Sequence, residues 1–260
     1  MQHTSHIQIR SVTPDNLPQL GLFCIKNSKS AGYKAKVAWF SRAYQDGLRL
    51  KIAFDEQDQQ LGFIEYVPAE YAWRPVQADN FLFIHCIMTY GNARKNAGIG
   101  SALLADAEQA ARDAAKQGLC AMSSAGSWLA DQSIFVKNGF VPTDEKGRFV
   151  MMSKGFAPNA PLPLIRDWAQ ALPRYQGWHL LYANQCPWHK KSAVDLLQCA
   201  TEHGIELHIT ELDTPAAAQA APSGYGTFSL IKDGRLLEDH YISRTRFENI
   251  LKKEINSGKR

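Results

Sequence analysis

No stretch of this 260-residue chain stays apolar for the roughly 20 residues that a membrane-spanning helix needs. Residues 1–10 also lack the apolar core of a secretory leader. Cysteine is scarce: Cys24, Cys86, Cys120, Cys186 and Cys199 are odd in number and show no paired spacing. That argues against a disulfide framework and for reduced thiols in a cytosol. An excess of one charge sign is missing as well. The 29 Lys and Arg nearly balance the 25 Asp and Glu, the net charge is +4, and no basic stripe recommends nucleic acid. The short run His189-Lys190-Lys191 reads as a solvated helix face. No internal repeat is found. These absences leave a soluble cytoplasmic chain without membrane contact, long enough for one large core or two modest ones.

What the chain does have is concentrated at Lys95, Asn96, Ala97, Gly98, Ile99, Gly100 and Ser101. A strand-like apolar run at 81–88 precedes them, and an Ala- and Leu-rich helical stretch at 102–116 follows. The first four amides of a helix have no intrahelical acceptor and point, with the positive end of the dipole, at whatever lies there. Gly98 and Gly100 let the backbone approach an anion without a Cβ in the way, and Arg94 and Lys95 add charge. The spacing is neither the dinucleotide G-x-G-x-x-G nor a phosphate loop ending in Gly-Lys-Ser/Thr. A plain turn before a surface helix is the alternative.

The run resembles the pyrophosphate loop of the GNAT superfamily of acyl-CoA-dependent N-acyltransferases, written Q/R-x-x-G-x-G/A, with Lys95 in the Gln/Arg place. The flanks follow the same order. Residues 48–54 and 61–66 form two strands around a polar turn, and 119–123 suits a buried strand. Residues 131–137 have a helical pattern, and Lys137-Asn138-Gly139-Phe140 is similar to the superfamily's ending before its next strand.

A boundary falls at 155–163, where Gly-Phe-Ala-Pro-Asn-Ala-Pro-Leu-Pro continues neither helix nor sheet. Beyond it a strand at 178–183 leads to Cys186-Pro187-Trp188, a helix at 190–202 and a strand at 205–212. Strands at 227–232 and 235–241, joined by Asp233-Gly234, and a helix at 245–255 complete the chain. This order resembles a thioredoxin-like domain with the thiol at the start of its first helix, where Pro187 loses no bonded N–H. The expected fold class is α/β: an α+β GNAT fold with a mixed sheet over 1–154, a Pro-rich linker with a short helix over 155–177, and a small thioredoxin-like domain over 178–260.

Glu65-Tyr66, Tyr71-Ala72-Trp73-Arg74, Ile84-His85-Cys86-Ile87 and the Cys-Pro-Trp unit together resemble YoaP-type acetyltransferases, a bacterial group that fuses two such domains. The resemblance covers nearly the whole chain and implies acetyl-CoA as donor, an amine acceptor that it does not identify, and no metal. It also implies that Thr89, near the end of the strand at 81–90, lies beside the pantetheine arm. A homodimer is compatible with it.

Amine acetylation needs a base for the acceptor ammonium, a donor to the oxyanion and an acid for the leaving thiolate. His85 is the first candidate base, since imidazole titrates near neutrality; a buried histidine bonded to a neighbour is the alternative. Glu65 binds the acceptor cation or acts through water, unless it is a solvated strand position. Cys86 faces away from His85, into the core, if the strand is regular. Tyr71, Trp73 and Arg74 are acceptor-side candidates, with loop packing as the alternative. The superfamily's acidic tyrosine is replaced by Phe135, and its helix asparagine falls near Trp128. Tyr90, Ser123, Ser124 or water are the substitutes. Cys186 is a candidate reactive thiol, favoured by the helix start. It lacks a dithiol partner, because His189 stands three residues on and Gly226 replaces the usual cis-proline. A degenerate domain used for docking, dimerisation or cover is the alternative. An acyl-CoA-binding or redox-responsive module sensing thiol state through Cys186 is the second functional reading.

Overall fold

The computed structural model describes residues 7–90, 98–126 and 128–257, and the chain divides into two units. The first comprises Met1–Lys26, Phe40–Ala72 and Val76–Arg166; the second comprises Asn27–Trp39, Trp73–Pro75 and Asp167–Arg260. The two short segments 27–39 and 73–75 thus belong with residues far downstream of them.

In chain order the strands and helices to residue 165 are β1 (Gln8–Val12), α1 (Leu17–Leu20), α2 (Ala31–Gln45), β2 (Arg49–Phe54), β3 (Gln60–Pro68), β4 (Val76–Gln77), β5 (Phe81–Thr89), α3 (Ile99–Asp113), β6 (Gly118–Ser124), α4 (Gln132–Lys137), β7 (Val141–Lys146), β8 (Phe149–Gly155) and β9 (Leu164–Ile165). Seven strands of the first unit form a sheet in the order β1-β2-β3-β5-β6-β8-β7. Only β5 and β6 run parallel; every other neighbouring pair is antiparallel. The β2–β3 turn is fixed by the Asp55 carboxylate, which accepts from the amides of Gln57 and Gln59 at 3.1 and 2.8 Å.

Helix α3 begins three residues before the expected 102, because its apolar stripe starts earlier. Ile99, Leu103, Leu104, Ala107 and Ala111 recur at helical spacing and are all buried. They pack on Ile64, Tyr66, Leu82, Ile84, Leu119, Ala121 and Met152 from one face of the sheet. Each such Leu or Ile contributes roughly 1.5–3 kcal/mol of transfer free energy, so this stripe fixes where α3 begins. Phe135 of α4 belongs to the same cluster, 1% exposed and edge-on to Phe140. It is a core side chain.

The second unit contains β10 (Trp178–Tyr182), α5 (Pro187–Glu202), β11 (Leu207–Glu211), α6 (Pro215–Gln219), β12 (Phe228–Lys232), β13 (Arg235–Glu238) and α7 (Arg244–Ser257). Its sheet has the order β11-β10-β12-β13, with β10 and β11 parallel and β12 antiparallel to both neighbours. Asp233 and Gly234 both take positive φ, 47° and 72°, the pair that closes a two-residue hairpin. A 3-10 turn spans Ala169–Arg174. Helix α6 lies in the Ala- and Pro-rich stretch 215–222. Proline is tolerated at a first turn, and Thr214 caps it by accepting from the Ala217 amide. Gly226 permits a close approach: a Cβ there would meet the Trp73 carbonyl at 2.9 Å and Arg74 Cα at 3.0 Å.

Candidate active site

Strands β5 and β6 pair from Phe81↔Gly118 to Ile84↔Ala121, while β5 runs on to Thr89 and β6 to Ser124. Past Ile84 and Ala121 the two strands therefore bound a wedge in the sheet. One wall of the wedge is irregular. On β3, Glu65 pairs with Cys86 and the next residue, Tyr66, pairs with Ile84, so His85 is the extra residue of a β-bulge. Bulging changes which side chains share a face. Ile84 lies in the α3 cluster and Ile87 packs against it, although their separation of three would place them on opposite faces of a regular strand. His85 and Cys86 both fall on the other side. The expectation that Cys86 turns away from His85 is thus corrected: it holds only for an unbulged strand, and Cys86 is half-buried.

The same bulge brings Glu65 to His85. His85 Nδ1 stands 3.5 Å from Glu65 Oε1, and both side chains are at most 1% exposed. Phe83 meets the imidazole edge-on at 5.5 Å, consistent with their shared face. Glu65 is therefore no solvated strand position. His85 Nδ1 thus faces the Glu65 carboxylate, an arrangement in which the carboxylate would favour a protonated imidazole.

Ser124 ends β6 on that face too, since Leu119 and Ala121 take the α3 side and alternation turns Cys120, Met122 and Ser124 away from it. Ser124 Oγ accepts a hydrogen bond from Arg148 Nη1. Arg148 stands just before β8, with its guanidinium 4.4 Å from the Phe149 ring. Ser123 Oγ donates to the Ala130 carbonyl at 2.7 Å, and Tyr90 Oη donates to the Phe23 carbonyl at 3.2 Å. Arg148 was not singled out from the sequence, where a basic residue after a Lys-Gly turn carries no signal. Trp128, at the asparagine place, is 38% exposed with φ 80°.

At the same end of the sheet, Gly62 pairs with Thr89, and a Cβ on Gly62 would stand 3.3 Å from Ile99 Cγ2. The start of α3 therefore abuts the end of β5. Gly98 is its N-cap, at φ 78° and ψ 0°, with no capping side chain. The amides of Gly98, Ile99, Gly100 and Ser101 open the helix, and no side chain caps it at Gly98. Ile99 itself is a core anchor. Gly100 has a packing reason besides, since a Cβ would press Ile134 Cδ1 at 3.0 Å. Thr89 is exposed. Lys95, Asn96 and Ala97 lie outside the described residues. Among the described residues no group of three or more His, Cys, Asp or Glu is placed to hold a metal ion.

The acceptor-side candidates separate. Tyr71 is 46% exposed in a 3-10 turn of the first unit. Trp73 and Arg74 are buried residues of the second unit, where Trp73 meets Trp39 edge-on. The Arg74 guanidinium donates to Thr227 Oγ1 at 2.8 Å and lies 4.2 Å from the Tyr225 ring. Cys186 is the half-buried N-cap of α5, and its carbonyl accepts from the His189 amide. His189 is fully buried, with Nδ1 3.1 Å from the Ala183 carbonyl. Burial pushes it down to about 3, against that hydrogen bond, with Arg74 and Lys36 adding repulsion. Neutral His189 gives a thiolate no counter-charge.

A family described as YoaP-like matches residues 206–249. Over 246 residues the chain is 26% identical to an uncharacterised N-acetyltransferase, YoaP, of Bacillus subtilis, covering 92% of this chain and 96% of the relative. Among solved structures it is similar to a ribosomal-protein-alanine N-acetyltransferase from Brucella melitensis, at 24% identity and a TM-score of 0.42, covering 57% of this chain and 99% of the other. It is also similar to a GNAT-family acetyltransferase of the same organism in complex with acetyl-CoA, at 18% identity and 0.38, covering 61% and 93%. The PaiA N-acetyltransferase of Thermoplasma acidophilum with coenzyme A gives 17% and 0.43, covering 58% and 99%.

Proposed function

We propose that the chain is an acetyl-CoA-dependent N-acetyltransferase of the GNAT superfamily, acting on an amine of a small molecule, a peptide or a protein. The observation that carries this reading is the buried Glu65–His85 pair on the wall of the β5–β6 wedge, at the sheet end where α3 begins. The N-acetyltransferase similar along nearly its whole length supports it. In this reading the amides of Gly98, Ile99, Gly100 and Ser101 receive the donor's pyrophosphate, together with Lys95, Asn96 and Ala97. Thr89 and the wedge-facing backbone of β5 take the pantetheine arm.

His85 accepts the acceptor's proton, and Glu65 stabilises the imidazolium from the Nδ1 side. The freed amine attacks the thioester carbonyl, the tetrahedral adduct collapses as the C–S bond breaks with its electron pair on sulfur, and the nitrogen releases its second proton to water. We also assign the second unit a thioredoxin-like fold, which its strand order and directions support. The domain division is then 1–154 and 178–260 around the linker, with 27–39 and 73–75 grouped with the later domain. The five cysteines, none of them in a disulfide, favour a reducing cytoplasm. No observation on Cys186 favours the thiol-sensing alternative.

The test is release of CoA from acetyl-CoA across a panel of amines. Chromatography should follow it, because the protein's own thiols would react with a colorimetric thiol reagent. Acceptor-dependent release is expected. A folded protein that binds acetyl-CoA yet releases CoA at the same rate with every amine as with none would overturn the reading.

A further inference from the structure

Phe135 leaves the leaving thiolate without the superfamily's usual acid, and three hydroxyls stand as substitutes in the sequence. Two of them are committed. Ser123 donates its proton to the Ala130 carbonyl, and Tyr90 donates to the Phe23 carbonyl. Ser124 is different. Its oxygen accepts from the Arg148 guanidinium, and among the described residues its own proton enters no hydrogen bond. A hydroxyl only 2% exposed with an uncommitted proton is costly unless something arrives to accept it. Ser124 shares the sheet face of His85 and stands on the opposite wall of the wedge. Counted from the last pair, Ile84↔Ala121, it lies two residues farther out than His85, roughly 7 Å at strand rise.

We propose that Ser124, polarised by Arg148, donates the hydrogen bond that stabilises the charge on the departing CoA sulfur. This rests on the acetyltransferase reading. As the N–C bond forms and the C–S bond breaks, the ammonium proton goes to His85, the second nitrogen proton goes to water, and the electron pair stays on sulfur. Ser124 keeps its proton throughout, because an alkoxide is a stronger base than a thiolate. The thiolate takes a proton from water on release. Arg148 is a positioning residue: it orients the hydroxyl and places positive charge behind it.

Ser124→Ala should lower kcat by about 10- to 100-fold, as loss of a hydrogen bond to a charged group does, with acetyl-CoA affinity and Tm held. Ser124→Thr should restore most of the rate. Arg148→Met should lower kcat by a smaller factor at unchanged KM, and Arg148→Lys should recover part of it. Because Arg148 acts through Ser124, the double variant Ser124→Ala, Arg148→Met should be no slower than Ser124→Ala alone. Parental kcat in folded Ser124→Ala, or losses that multiply in the double variant, would overturn the proposal. Should Ser124→Ala not fold, the partly exposed Arg148 decides: parental kcat in Arg148→Met would overturn it equally. A parent protein without acceptor-dependent release defeats the acetyltransferase reading itself, whereas normal parental turnover unmoved by either variant defeats only the role of Ser124.

Discussion

Replacing Glu65 by Gln removes one charge while keeping the shape of a side chain that is 1% exposed. The size of the effect follows from the 3.5 Å between Glu65 Oε1 and His85 Nδ1. Two unit charges at that distance attract by about 4.7 kcal/mol at an effective dielectric constant of about 20. Neutral His85 feels little of this before the reaction, and an imidazole half-protonated in the transition state feels about half, roughly 2.4 kcal/mol. At 1.36 kcal/mol per tenfold, kcat should fall by about 50-fold in Glu65→Gln. The loss should be mostly in kcat, with acetyl-CoA affinity retained, because the charge matters only when the proton moves. His85→Ala should cost ~10²–10⁴-fold, and adding Glu65→Gln to it should cost little more. Initial rates of CoA release, with circular dichroism and Tm checking the fold, measure all three variants. A folded Glu65→Gln within threefold of the parent, or a double variant slowed by the product of the single losses, would refute the coupling.

Donor binding should suffer from Gly98→Asp, which sets a carboxylate against the amides that open α3; calorimetry with acetyl-CoA should show affinity down by more than about tenfold, and unchanged affinity removes the anion site. Gly98 is the cleaner site for this, since bulk at Gly100 also presses Ile134. The stability of the second unit should depend on pH through His189, whose folded-state value lies near 3 against an ordinary 6.5. The unfolded chain takes up a proton that the folded unit refuses, so stability present above pH 6.5 is lost as pH falls toward 3, by about 2 kcal/mol between pH 6.5 and 5. Hydrogen exchange of α5 and β10 amides should show this fall, and His189→Leu should lack it; the same pH dependence in both proteins would exclude His189 as the cause. Alkylation by iodoacetamide should reach Cys186 before half-buried Cys24, with buried Cys120 and Cys199 last, since burial pushes both of those thiols up. Equal rates at Cys186 and Cys24 would show that the helix start does not activate the thiol.

The sequence by itself determined what is local. Glycine spacing before an apolar helical stripe marks the start of α3, and the alternation at 48–54 and 61–66 gives the β2–β3 hairpin. Asp131 with Gly139 brackets α4, and Asp233-Gly234 turns β12 into β13. Each of these rests on the dihedral preferences or capping of a few neighbouring residues, so one chain segment carries the whole signal. His85 and Glu65 were visible as candidates for the same reason, as ionisable residues inside apolar strands.

What only the tertiary structure decided depends on two or more segments at once. The bulge at His85 is a property of the β3–β5 register, so neither strand alone reveals that His85 and Cys86 share a face or that Glu65 meets the imidazole. Ser124 and Arg148 are 24 residues apart and meet because β6 pairs with β8. Arg74 looked like an acceptor contact in its loop, yet its guanidinium is buried against Tyr225 and Thr227, some 150 residues away. Local propensity cannot encode such meetings. Register and packing choose them by the free energy of burying apolar faces and satisfying buried polar groups across the whole fold.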